Sequence, residues 1–66
     1  MPYPLIGITC TAAGAQSGSS PGHLVPAPYI DAVLRAGGAP VLIPVRNDSK
    51  GLDRIFETID GLLLGW

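Results

Sequence analysis

The chain has 66 residues, 47% of them hydrophobic and only 14% charged, against a usual charged share of roughly 25%, so it holds one domain at most and reads like core segments of a larger one. The formal net charge is −1, and Arg35, Arg46, Lys50 and Arg54 are spread among Asp31, Asp48, Asp53, Glu57 and Asp60, which leaves no basic face for nucleic acid. Cys10 and His23 are the only residues of their kinds, which excludes an intramolecular disulfide and a zinc-type Cys/His cluster.

Residues 4–10, PLIGITC, are apolar and partly β-branched after a proline, and predict a first strand. Residues 11–25, TAAGAQSGSSPGHLV, are rich in small and polar residues without a sustained period, and predict a long loop. In the block Tyr29 to Pro44, YIDAVLRAGGAPVLIP, the residues Tyr29, Ile30, Val33 and Leu34 gather on one side of a helix. Asp31 and Arg35 stand on the other side. Pro28 suits the first helical turn, and Gly37-Gly38 supplies the positive φ that commonly ends a helix. Val41-Leu42-Ile43 then reads as a strand buried on both faces of a helix-covered parallel sheet.

Val45 to Ser49 predict a polar connection. Leu52, Ile55, Phe56 and Ile59 follow at i, i+3, i+4 and i+7, the template of an amphipathic helix packing one face on a sheet. Asp48 or Ser49 is the expected N-cap, and Asp53 is expected to favour the helix dipole. Asp60-Gly61 ends that helix, and Leu62-Leu63-Leu64 is a third short strand before Gly65-Trp66. The order βαβαβ predicts an α/β fold with a parallel sheet and right-handed crossovers. No run approaches the roughly 18 apolar residues of a membrane span, and Met-Pro-Tyr-Pro lacks the features of a secretory signal. A cytoplasmic address is expected, with neither membrane nor nucleic acid as partner.

No catalytic constellation is complete in these residues. Cys10 would be a nucleophile only with a histidine in reach, and His23 lies in the long loop, so a buried structural thiol is expected. Asp53 and Glu57 read as the solvated face of a helix. The loop after the first strand has neither G-x-G-x-x-G nor G-K-[ST], and Gly14, Gly18 and Gly22 are spaced four apart, too far from the helix for a phosphate cradle. Thr9-Cys10-Thr11 is only faintly similar to a flavin-phosphate loop. Neither a cofactor nor a metal is therefore expected, and a flavin or nucleotide module is the remotest alternative.

PLIGITC, the block YIDAVLRAGGAPVLIP and the ending IDGLLL with its following glycine resemble the N-terminal part of the class I glutamine amidotransferase-like hydrolases, specifically the gamma-glutamyl-gamma-aminobutyrate hydrolase group. The resemblance covers the chain outside Thr11 to Val25. It implies a flavodoxin-like α/β domain, of which residues 1–66 would be the N-terminal βαβαβ portion. It also implies a Cys-His-Glu triad attacking a gamma-glutamyl amide through a thioester. The small-molecule substrates implied are gamma-glutamyl adducts of small amines.

The triad lies beyond the third strand in that family, so no catalytic residue carries over; Cys10, at the end of the first strand, does not match the nucleophile. The family's third strand leads into a Pro-Gly-Gly type loop whose N–H serves the oxyanion hole. Gly65 is the approximate match, with no proline before it and no second glycine after it. Pro26 and Pro28 shorten the first helix relative to the family pattern. The expectation is a truncated domain, inactive alone. Loss of the first two nucleotides from CCG GGT GGT GAC, a coding of Pro-Gly-Gly-Asp, gives GGG TGG TGA and would produce the Gly-Trp ending. An alternative of a different class is a small interaction module that pairs through its exposed third strand with another chain.

Overall fold

A computed structural model describes residues 3–13, 21–44 and 48–65. Three strands, β1 (Leu5–Thr9), β4 (Ala39–Ile43) and β5 (Gly61–Leu63), form a parallel sheet in the order β4-β1-β5. Helix α1 (Ala27–Arg35) links β1 to β4, and α2 (Ser49–Thr58) links β4 to β5. The expected α/β architecture with a parallel sheet is thus present, β1 lying between the two strands that follow it.

The stretch expected to be one long loop contains a short antiparallel ribbon, β2 (Thr11–Ala13) with β3 (Gly22–Leu24), in the register Thr11↔Leu24, Ala12↔His23, Ala13↔Gly22. The pairing uses backbone groups, so it requires no apolar alternation in the sequence. The Thr11 hydroxyl adds a bond of 3.4 Å to the Leu24 carbonyl oxygen. Residues 14–20 of the same predicted loop, and 45–47 of the polar connection, lie outside the described residues.

Pro26 caps α1 in extended conformation and Pro28 stands in its first turn, where a missing N–H costs nothing. The helix closes in a Schellman motif: Gly38 N–H donates to Val33 O at 2.9 Å and Gly37 N–H to Leu34 O at 3.1 Å. Of these two glycines only Gly37 has positive φ, at 85°. Gly38 serves a different end, because a Cβ there would lie 2.9 Å from Ile6 Cγ1 and 3.0 Å from Val33 Cγ1. Its bareness lets α1 close onto β1.

Asp48 is the N-cap of α2, its carboxylate accepting the Gly51 N–H. Asp53 stands past the first turn, which holds no acidic residue, so the expected dipole interaction belongs to Asp48 instead. Ile59 Cδ1 and Ile43 Cδ1 occupy the space beside Gly7 of β1, whereas Val33 of α1 meets Ile6. Since Ile6 and Gly7 face opposite sides of the strand, α1 and the end of α2 cover opposite faces.

The core consists of Ile8, Cys10, Val33 and Ile43, all at most 6% exposed. Two packing expectations need correction. In β4, Val41 and Leu42 are exposed rather than buried on both faces, because β4 is an edge strand with a partner on one side only. Leu52 and Ile55 of α2 and its C-cap Ile59 are half-buried, and Phe56 is exposed. One three-stranded sheet is too narrow to cover the whole apolar face of that helix.

Candidate functional site

In open parallel α/β sheets, ligands bind beyond the carboxyl ends of the strands. Here those ends bring together Thr9, the last residue of β1, with Cys10 after it, Ile43, the last residue of β4, and Leu64-Gly65 after β5. Cys10 N–H donates to Ile43 O at 3.0 Å, which extends the β1–β4 ladder by one bond and turns the thiol inward. At 1% exposure, Cys10 is the buried structural thiol its position implies, and no substrate carbonyl reaches its sulfur.

Gly65, the approximate oxyanion-loop match, is buried against β1. Its N–H donates to Thr9 Oγ1 at 2.9 Å. A Cβ at this position would lie 2.5 Å from the Thr9 carbonyl oxygen and 3.2 Å from Ile8 Cγ2, so the approach of the two backbones admits glycine alone without a shift. A substrate oxygen can use the Gly65 N–H only by displacing the Thr9 hydroxyl. From sequence Thr9 was considered only as part of Thr9-Cys10-Thr11, faintly similar to a flavin-phosphate loop, and not as a partner of Gly65; the one available signal for that role was a hydroxyl at the end of a strand in this class of fold.

His23 projects from the exposed ribbon, opposite Ala12. Asp53 and Glu57 are exposed on α2, where Glu57 pairs with Arg54 at 3.1 Å. Among the described residues there is no cluster of His, Cys, Asp and Glu able to hold a metal, and no helix long and apolar enough to cross a membrane. Of the glycines considered for a phosphate cradle, Gly14 and Gly18 lie outside the described residues and Gly22 opens β3. The Trp66 side of the Gly65 junction also lies outside them.

At the other end of the sheet, Asp60 fastens β5 to β1 before the ladder begins. Its N–H donates to Leu5 O at 2.7 Å, and its Oδ2 accepts the Leu5 N–H at 2.8 Å. Asp60 was read from sequence only as a helix-end residue, and the structure makes it a clamp. With Asp60 at the amino end and Thr9–Gly65 at the carboxyl end, β5 is fastened to β1 at both ends.

No curated protein and no solved structure matches the chain at a significant level. Among protein families, Peptidase C26 matches residues 4–65. That span takes in β1, both helices, β5 and the glycine held by Thr9, and the chain belongs to the Peptidase C26 family, a class I glutamine amidotransferase-like family of hydrolases.

Proposed function

We propose that the chain supplies the first strands and the oxyanion-loop end of a domain that hydrolyses gamma-glutamyl amide bonds, and that alone it hydrolyses none. The burial of Cys10 carries the second half: a thioester mechanism needs a thiolate that a carbonyl carbon can approach, and the sole thiol here lies inside the β1–β4 packing. Membership of Peptidase C26 supports the first half, together with Gly65 at the carboxyl end of β5. In that role the Gly65 N–H would donate to the developing oxyanion, with Thr9 Oγ1 as its acceptor in the resting state. The rest of the hole, the nucleophile and the base would come from residues that this chain does not contribute.

The test is an assay of the purified chain on a gamma-glutamyl anilide. No release of the amine above background is expected, and the Cys10→Ser variant should behave identically. Turnover by the chain that Cys10→Ser abolishes would overturn the proposal.

A further inference from the structure

Asp60 and Gly61 each meet a separate demand of the fold. Asp60 ties β5 to Leu5 of β1 through its N–H and its Oδ2. Gly61 stands opposite Ile6 in the sheet, and a Cβ on it would lie 3.0 Å from Ile6 Cδ1, inside the roughly 3.5–4.0 Å of packed carbons. Glycine therefore lets Ile6 keep its place. The two demands fall on consecutive residues and create the one Asp-Gly bond of the sequence, since Asp31, Asp48 and Asp53 are followed by Ala32, Ser49 and Arg54.

An Asp-Gly bond is chemically weak. The glycine nitrogen attacks the aspartyl Cγ, forming the N–Cγ bond of a five-membered succinimide and expelling one carboxyl oxygen as water, with the amide proton and a second proton from solvent. Water then opens the ring. Attack at Cγ restores aspartate, whereas attack at the main-chain carbonyl carbon breaks its bond to nitrogen and leaves isoaspartate, a backbone one methylene longer. Glycine favours the closure because it has no side chain to shield its nitrogen and bends most freely. In the folded chain three contacts oppose it. The Leu5 N–H holds Asp60 Oδ2 at 2.8 Å, the Leu5 carbonyl oxygen holds the Asp60 N–H at 2.7 Å, and Gly61 lies in the β1–β5 ladder. Ring closure must release the carboxyl from Leu5 and the Gly61 backbone from that ladder.

We propose that Asp60-Gly61 is a site of spontaneous isomerisation guarded by β1, reacting when the amino end of β5 leaves Leu5. The product cannot rebuild the clamp. The added methylene moves Gly61 out of register with Ile6 and carries the carboxylate away from the Leu5 N–H, so each opening that ends in isoaspartate leaves β5 without its amino-end fastening. This site is independent of the hydrolase assignment.

Storage of the purified chain in warm neutral buffer tests it, with isoaspartate read by enzymatic methylation and by the altered retention, at unchanged mass, of the tryptic peptide of residues 55–66. In guanidinium chloride isoaspartate should form at residue 60 at least about tenfold faster than in the folded chain, because no opening of β5 is then needed. Leu5→Pro removes the N–H that holds Oδ2 at the first position of β1, where proline is tolerated. With its fold checked by circular dichroism, it should react about tenfold faster than the folded wild type, the weight of one such hydrogen bond. Asp60→Glu, whose closure needs a six-membered ring, should leave residues 55–66 unmodified. Equal rates in the folded and denatured wild type, or isoaspartate at other positions and not at Asp60, would overturn the proposal, and that comparison decides it even if Leu5→Pro does not fold. A folded Leu5→Pro that reacts no faster than wild type would overturn it as well.

Discussion

Thr9 holds Gly65 twice over: its hydroxyl accepts the Gly65 N–H at 2.9 Å, and its carbonyl oxygen fills the space a side chain at position 65 would need. Removing the hydroxyl leaves a part-buried N–H without that acceptor. Thr9→Val should therefore cost about 1–3 kcal/mol in urea unfolding, and Thr9→Ser much less. Equal losses for the two variants would assign the effect to packing of the methyl group instead.

Gly65→Ala pushes a methyl into backbone, which yields less readily than a side chain. The expected loss is about 1–3 kcal/mol, and amide exchange at residue 65 should quicken as the bond to Thr9 opens. Unchanged exchange and stability would mean that the loop moves aside at little cost.

The Asp60 clamp on Leu5 predicts a contrast between two substitutions. Asp60→Asn keeps an oxygen that can accept the Leu5 N–H, whereas Asp60→Ala removes it and should cost about 1 kcal/mol. Urea midpoints compared at fixed protein concentration decide between the two, and a larger loss for Asn than for Ala would refute the clamp.

Asp48 and Arg54 both carry charge on α2, yet they should differ in weight. Asp48→Ala removes the acceptor of the Gly51 N–H and should cost about 1 kcal/mol, with Asp48→Ser close to neutral. Arg54→Ala breaks an ion pair whose side chains are 81% and 64% exposed, and should change stability by less than about 0.5 kcal/mol. Helicity measured by circular dichroism should follow the same order.

Burial makes Cys10 a probe of global opening. Its thiol should react slowly with an aromatic disulfide reagent in the native protein and rapidly in denaturant. Native and denatured rates that coincide would remove the buried-thiol assignment and, with it, the main support for inactivity.

The blocks PLIGITC, YIDAVLRAGGAPVLIP and IDGLLL carried the resemblance to the class I glutamine amidotransferase-like family, and the sequence by itself determined the helices and the three parallel strands. Those rest on local signals: the periods of Tyr29–Leu34 and Leu52–Ile59, the Gly37-Gly38 stop, and the short apolar runs bounded by Pro and Gly. Only the tertiary structure decided that β1 lies in the middle, that Val41 and Leu42 are exposed, that Thr11–Ala13 pairs with Gly22–Leu24, and that Thr9 and Asp60 grip the two ends of β5. The physical reason is distance along the chain. Thr9 and Gly65 are 56 residues apart and Leu5 and Asp60 are 55 apart, and no periodicity or turn signal encodes which hydroxyl or carboxylate meets which N–H. Exposure of an apolar strand likewise depends on whether a neighbour lies beside it, which its own residues do not specify.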